Sequence, residues 1–527
     1  MKYKALIPSA GLGTRLGELG KNINKALVSV ANKATISHII EKFPKNIEII
    51  IALGHRGDLV RDYIELAHPD RKIRFVDIDP YCGAGSGLGE TILQCREHLQ
   101  CPFVFCSNDT LVVEDIPTPR TNWMGFDSSI NVGNSYRSIQ IHDGWVDRIC
   151  EKEERRATNP YIGLAGVHDY EHFWKCMESG IKYGSIQAGE SYGLRSMLGD
   201  GYKIEACKFT WLDTGQKEGL ERARNFYKKG TDPNILHKPN EAIWFANDTV
   251  IKYSVDKDFI KNRAERTKQL RGLVPELISV RENMYSYKLV KGNIISKTIT
   301  SPLFEKFLDW SKDLWTPYEL DEAPEKDFNQ ACLAFYKDKT YERINKYFNR
   351  FEKQDSREVV NDIKIPKLQE LLSKIDWDEL SQGIPVRYHG DFHFENILVA
   401  EDGDFVLLDW RQDFGGLMEY GDIYYDFAKL LHGIKVSHEL VNKDLYSVDN
   451  DAGIVKFDIL TKNSLILCED IFKKWINTNG YDWNRVRLLT ALIFLNIAAL
   501  HHHPYSDLLF YLGKYQLHEL LENNIDG

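Results

Sequence analysis

Residues 4–15 read Lys4-Ala5-Leu6-Ile7-Pro8-Ser9-Ala10-Gly11-Leu12-Gly13-Thr14-Arg15. The apolar run reads as a strand, and it breaks at once into Pro8 and glycines. Glycine at such a break lets backbone N–H groups approach a phosphate with no Cβ in the way. Ala10, Gly11, Gly13 and Thr14 are therefore candidate nucleotide-binding positions, and Arg15 can grip phosphate oxygens through two parallel hydrogen bonds. Working outward, Glu48 to Leu53, Ile73 to Ile78 and Phe103 to Cys106 also read as strands, separated by helical patterns. This alternation predicts an α/β domain with a Rossmann-like, mostly parallel sheet, its ligands lying beyond the carboxyl ends of the strands. The loops Ser9 to Arg15 and Ser107 to Thr110 fall there.

Three further elements converge on that crevice. Lys25 stands in Asn24-Lys25-Ala26-Leu27, Asp109 follows a buried strand in Ser107-Asn108-Asp109-Thr110, and Trp211-Leu212-Asp213-Thr214-Gly215 offers a second carboxylate. This set, in this order, resembles the sugar-phosphate and choline-phosphate nucleotidyltransferases over residues 1 to about 228. That family usually has proline where Asn24 stands and often a second acid where Asn108 stands. The resemblance implies that a phosphate on an acceptor attacks the α-phosphorus of a nucleoside triphosphate and expels pyrophosphate. Asp109 and Asp213 would hold Mg²⁺, while Arg15 and Lys25 would offset phosphate charge. The second glycine-rich loop, Gly83 to Gly89, would cradle base and sugar through Gly85 and Ser86.

A polar stretch rich in turn formers, Lys229 to Pro233 and His237 to Asn240, marks an interdomain boundary. The strongest local signal lies beyond it: Tyr388-His389-Gly390-Asp391-Phe392-His393-Phe394-Glu395-Asn396, then Phe405-Val406-Leu407-Leu408-Asp409-Trp410. An aspartate, an asparagine five residues on and an aspartate after an apolar run have the spacing of kinase active sites. Asp391 would accept the proton of a substrate hydroxyl, and Asn396 and Asp409 would supply oxygen ligands to magnesium. Upstream, Lys252 in a strand and Glu265 on the next helical pattern suit a phosphate-binding lysine and its partner. No glycine-rich loop or Ala-Pro-Glu activation segment is present. Residues 241 to 515 resemble the aminoglycoside phosphotransferase and choline kinase group, which implies an α+β two-lobed, protein-kinase-like fold with small alcohols as acceptors. The expected domains are 1–230, a small lobe 241–300 and a helical lobe 301–527, the last with strands only near 397 and 405.

Composition agrees with this division. At 527 residues the chain exceeds a single core, and 43% apolar with 27% charged residues is ordinary for a globular protein. A net charge of −10 argues against a nucleic-acid surface. The start is too short in apolar residues for a secretory signal, and Leu488 to Leu500 is shorter than the ~18 residues a membrane span needs, so a cytoplasmic protein without membrane insertion is expected. The nine cysteines are scattered and read as reduced thiols. His501-His502-His503 cannot readily share one metal on a helix and suits core packing or a pocket wall.

The expected function is that of a bifunctional enzyme. It phosphorylates a small-molecule hydroxyl with ATP and transfers a nucleotidyl group, CMP from CTP, to the new phosphate, as in bacterial fusions of choline kinase with a choline-phosphate cytidylyltransferase. The product would be an activated precursor for surface polysaccharide or lipid. A sugar kinase joined to a sugar-1-phosphate nucleotidyltransferase is the alternative, and a nucleotide sensor with one inactive half is a third reading. Arg411, beside Asp409-Trp410, suits an anionic or sugar acceptor. Choline, other amino alcohols, polyols, glycerate and sugars all stay open, as does the oligomeric state.

Overall fold

The strand Lys4–Ser9 forms, and its side chains alternate: Ala5 and Ile7 enter one buried cluster and Leu6 the other, as a period of two requires. Glu48–Leu53 does the same, with Ile49 and Ile51 on one side and Ile50 and Ala52 on the other. Strands apolar on both faces belong in the middle of a sheet covered on both sides. A computed structural model of the chain describes residues 2–129, 136–151, 159–229, 238 and 240–523. The linker expected across 229–240 lies largely outside them.

The first sheet has nine strands, in the order Ile73–Asp77, Glu48–Leu53, Lys4–Ser9, Phe103–Cys106, Asn159–Val167, Trp123–Phe126, Glu205–Lys208, Trp145–Cys150 and Ser138–His142. The first four are mutually parallel. The α/β expectation holds, while the sheet as a whole is mixed, because Asn159–Val167 pairs antiparallel with both its neighbours and Trp145–Cys150 with Ser138–His142, although Glu205–Lys208 pairs parallel with Trp123–Phe126. One cause is local: Asp143 (φ 48°) and Gly144 (φ 82°) make a two-residue turn between Ser138–His142 and Trp145–Cys150. Two positive φ values give the twist that a tight hairpin needs. The carboxyl ends of Lys4–Ser9 and Phe103–Cys106 share one edge, and the loops at 10–16 and 107–109 leave from it.

The chain divides into two compact units, Met1–Lys257 with Ile278–Leu289, and Asp258–Leu277 with Val290–Gly527. The second domain was expected to start at 241, but strands Glu241–Ala246, Thr249–Ser254 and Met284–Lys288 group with the first unit. Their apolar face explains this. Trp244, Ala246, Ile251, Tyr253 and Met284 are buried in one cluster with Ala26, Leu27 and Val28. The Trp244 indole donates to the Leu27 carbonyl at 3.0 Å, and Phe245 N donates to the Asn32 carbonyl at 2.8 Å.

The second unit opens with most of helix Lys257–Arg266. It contains a three-stranded sheet of Gly292–Ile294, Ile397–Ala400 and Phe405–Leu407, and a largely helical body that includes Ile423–Lys435, Asn463–Thr478, Trp483–Ala498 and Tyr505–Asn523. The strands foreseen near 397 and 405 are present. A further four-stranded sheet, in the order Ile363–Ile365, Glu358–Val360, Ile454–Ile459 and Tyr446–Asp451, corrects the expectation that these were the only ones. Its last strand reads Tyr-Ser-Val-Asp-Asn-Asp and is mostly exposed, so it carries little apolar alternation to reveal it. The apolar run from Leu488 lies in helix Trp483–Ala498, and the three histidines follow its end. Among the described residues no helix is long and apolar enough to cross a membrane, and all nine cysteines are free thiols.

Candidate functional site

In the first unit both glycine loops meet. Gly11, Gly13, Thr14, Arg15, Lys25, Gly83, Ser86 and Gly215 line one cleft of about 360 Å³. Gly13 adopts φ +68°, and a Cβ there would press to 3.2 Å from the Lys25 Cβ, so glycine keeps loop and lysine in register. Gly85 turns the second loop at φ +84°, and the Ser86 hydroxyl closes it by donating to the Gly83 carbonyl at 2.7 Å. Ala10 is buried at the loop's start, where its carbonyl accepts from His55 N at 3.0 Å.

Lys25 Nζ lies 2.8 Å from Asp109 Oδ2. Thr214 donates to the Asp109 carbonyl from its N at 2.9 Å and its Oγ1 at 3.1 Å, which docks the two acidic turns on each other, and Gly215 N donates to Asp213 Oδ1 at 2.8 Å within the second turn. A Cβ on Gly215 would come within 2.7 Å of Asp109 Oδ2 and 3.0 Å of Asp213 Oδ1. Both carboxylates therefore flank one point. Burial alone would raise Asp109, but the ammonium of Lys25 and the charge of Arg15 hold it below the usual carboxylate range. Asp213 is pushed upward, first by burial and then by the Asp109 carboxylate beside it.

The sequence did not point to Tyr136. Its hydroxyl donates to Asp213 Oδ2 and accepts from the Gln216 amide. Asn24, standing where the family's proline would be, caps the turn that presents Lys25. Its Oδ1 accepts from Ala26 N at 2.9 Å, and its Nδ2 donates to the carbonyls of Ser9 at 3.0 Å and His55 at 2.7 Å. The departure from proline thus exchanges ring stiffness for three hydrogen bonds. Asn108 is buried beside Asp109.

In the second unit the Asp391 loop is fixed from behind. Asp426, fully buried on helix Ile423–Lys435, accepts from His389 N at 2.8 Å, Gly390 N at 2.7 Å and the Trp315 indole at 3.2 Å. Gly390 has φ +86°, and a Cβ there would meet Arg411 Cβ at 2.7 Å and Tyr388 Cε2 at 2.8 Å. Asn396 Nδ2 donates to the Asp391 carbonyl at 2.9 Å and to its Oδ2 at 3.2 Å. Lys429 Nζ reaches Asp391 Oδ1 at 2.8 Å, and His393 Nε2 lies 3.6 Å from Oδ2. Burial opposes ionisation of Asp391, yet Lys429 and His393 hold it well below the usual range.

Asp409 sits in the left-handed region at φ 57°, an uncommon backbone for a residue with a Cβ. Arg263 Nη1 binds its Oδ1 at 3.0 Å. Three residues along the same helix, Arg266 is fully buried, donates to the carbonyls of Tyr388 at 2.5 Å, Arg411 and Met418, and lies 4.0 Å over the Tyr388 ring. The helix was expected to contribute Glu265 as partner to a strand lysine. Glu265 is exposed and pairs with Lys268 at 2.5 Å, whereas the arginines on either side of it brace the Asp391 and Asp409 turns. Lys252 is buried in strand Thr249–Ser254 of the first unit.

With this geometry in hand, comparison places residues 330–444 in the phosphotransferase enzyme family. That span includes Asp391, Asn396, Asp409 and Asp426. The N-terminal region matches curated proteins named bifunctional protein GlmU. The match from Methanococcus vannielii is 22% identical over 268 residues, 48% of this chain and 61% of the relative. The one from Methanocaldococcus jannaschii is 28% identical over 255 residues, 47% and 60%. The chain thus spans about three fifths of the length of these relatives. Solved structures similar to it include a UDP-glucose pyrophosphorylase complexed with UDP-glucose, at 19% identity, covering 43% of this chain and 98% of that one with a TM-score of 0.37. The CTP:phosphocholine cytidylyltransferase of Streptococcus pneumoniae gives 18%, 43%, 100% and 0.37. Residues 330–444 thus match the phosphotransferase enzyme family, and the N-terminal region is similar to proteins named bifunctional protein GlmU.

Proposed function

We propose that the protein is a bifunctional enzyme whose second unit phosphorylates a small alcohol and whose first unit couples the product to a nucleotide. The observation that carries this reading is that each unit holds its own set: Asp109 and Asp213 beside Gly215, at the cleft that Lys25 and Arg15 line, and Asp391 bound by Asn396, whose carbonyl accepts from Leu408 N just before Asp409. In the second unit the acceptor oxygen attacks the γ-phosphorus of ATP, the bond from that phosphorus to the β,γ-bridging oxygen breaks, ADP leaves, and Asp391 takes the hydroxyl proton. In the first unit an oxygen of the acceptor phosphate attacks the α-phosphorus of a nucleoside triphosphate, CTP in this proposal, and pyrophosphate leaves. Positioning and charge neutralisation carry both steps.

Both donor sets are made of oxygens, which suits the hard cation Mg²⁺. Asp109 and Asp213 would hold it in the first unit and Asn396 and Asp409 in the second, where it would neutralise phosphate charge. Lys25 holds Asp109 ionised, and Tyr136 fixes the orientation of Asp213. Gly11, Gly13 and Arg15 supply donors to the phosphates, and the Gly85-Ser86 turn closes over the nucleoside. The activated product would serve as a precursor for surface polysaccharide or lipid.

Pyrophosphate release by the purified chain, with CTP, UTP, dTTP or GTP against phosphorylated amino alcohols, polyols, glycerates and sugar 1-phosphates, tests the reading. Release with CTP and a non-anomeric phosphate is the expected result. Release only with a sugar 1-phosphate would replace it with a sugar nucleotidyltransferase, and silence across the panel would sink the first activity.

A further inference from the structure

The surroundings of Asp391 are unusually cationic. Lys429, nine-tenths buried, takes Asp391 Oδ1. Phe335 carries two more cations on its ring: Lys339 Nζ lies 3.9 Å from the centroid and the Arg411 guanidinium 4.7 Å. Arg343 stands one helical turn beyond Lys339 on helix Lys339–Arg350. Among the described residues neither Lys339 nor Arg343 makes an ion pair or a side-chain hydrogen bond. Asp391 is already paired with Lys429, and Asp413 accepts the Gly416 N–H at 3.0 Å.

Around His393, whose Nε2 lies 3.6 Å from Asp391 Oδ2, the rings of His393, His432 and His438 cluster, with centroids 5.5 to 6.4 Å apart. Both nitrogens of His432 are buried without a hydrogen-bond partner. Burial, reinforced by Lys429 and His393, holds His432 far below the usual imidazole range and His438 down to about 3. Lys339 is lowered likewise, by burial and then by Arg411, Lys429 and Arg343. A lysine lowered first by burial and then by neighbouring cations is one whose charge an incoming anion would restore. A quaternary ammonium acceptor would need the opposite, a carboxylate or an uncommitted aromatic face.

We propose that the acceptor alcohol of the second unit is an anion, a small hydroxyl compound bearing a carboxylate or phosphate, gripped by Lys339, Arg343 and Arg411 while its hydroxyl faces Asp391. This rests on the kinase reading of that unit and specifies its substrate. Arginine and lysine here act as specificity determinants, whereas Asp391 carries the chemistry.

The test is ADP formation by the full chain with Mg²⁺-ATP and glycerate, glycerol 3-phosphate, glycerol or choline. The anionic compounds should exceed glycerol and choline at least tenfold in kcat/KM, and the two anions separate a carboxylate site from a phosphate site. Lys339→Met keeps the stem at a half-buried position and removes a group with no ion pair among the described residues, so it does not threaten the fold. It should raise KM for the anion at least tenfold, leave kcat within threefold and leave KM for ATP unchanged, with Lys339→Arg restoring part of the loss. Arg411→Met should act in the same direction. Faster turnover of choline or glycerol overturns the proposal and leaves the kinase reading in place. ADP formed from no compound, with no shift of Tm by ATP, overturns both. If ATP binds but no compound turns over, calorimetry with inorganic phosphate decides: binding that weakens tenfold in Lys339→Met supports the site, and no binding overturns it.

Discussion

Asp109 and Asp391 are the same residue type, each with a lysine ammonium 2.8 Å away, yet they are built differently. Around Asp109 the scaffold is mostly backbone: glycine loops, two docked turns and a cleft whose lining offers N–H groups. Around Asp391 it is mostly buried side chains, with Asp426 and Arg266 tying down consecutive peptides of the loop. The first arrangement suits a site that must wrap a large polyphosphate, because bare backbone can follow its contour. The second suits a site that must hold one carboxylate in place against a small acceptor, because satisfied buried hydrogen bonds resist displacement.

The sharpest way to break this comparison is to remove each carboxylate alone. Asp391→Asn should lower ATP-dependent phosphorylation by about 10³-fold, the scale of a lost proton acceptor. Nucleotidyl transfer to a pre-phosphorylated acceptor should be unchanged, and Asp109→Asn should do the reverse. Loss of both activities in either variant, measured by ADP and pyrophosphate release, would show that the two sites are not independent.

Gly215→Ala comes next. The new methyl would lie within 3.0 Å of both acidic oxygens, and misplacement on this scale should slow nucleotidyl transfer by roughly 10²-fold while sparing the kinase. A variant of wild-type rate would mean that the acidic turns yield, contrary to a backbone-built site.

The supporting carboxylate gives a third effect, seen in stability. Burial raises Asp426 to about 6. Its folded-state pKa exceeds its unfolded one, so the native state binds more protons between pH 4 and 6 and loses stability as pH rises through that window. Asp426→Asn removes this titration. The stability difference should therefore move in favour of the variant from pH 4 to 6, by on the order of 3 kcal/mol, since each tenfold change in proton affinity is worth ~1.4 kcal/mol. Urea unfolding at the two pH values reads it, and parallel curves would contradict a buried, titrating Asp426.

The smallest effect belongs to the exposed pair on the bracing helix. Glu265→Gln should change unfolding free energy by less than ~1 kcal/mol, as surface pairs do, and ATP turnover by less than twofold. A large loss of turnover would give Glu265 the role first read for it.

What could be read from the sequence followed how local each function is. The glycines at 11 and 13, Arg15 and Lys25 lie in one short stretch, and Asp391 and Asn396 are five residues apart, so spacing alone announced them. Asp213 needed the resemblance as well, being far along the chain from Asp109. Tyr136, Lys429 and Arg266 left no local mark: each reaches its partner across dozens of residues, and each looks alone like an ordinary helix or loop residue. Glu265 was favoured over its neighbours because a carboxylate was sought, while the helix turns its arginines, one position after and two before, toward the loops. Tyr446–Asp451 was hidden for another reason, since an exposed polar strand carries little apolar alternation.

Trp244 has a consequence for heredity. The strands from 241 onward complete a core that begins at residue 3, so a crossover in the polar linker would not deliver two whole proteins. The upstream gene piece would encode a core missing its indole, and the downstream piece would carry an apolar strand with nothing to cover it. A recombination point that respects this core has to fall after the strands that Trp244 anchors, not in the polar stretch before them.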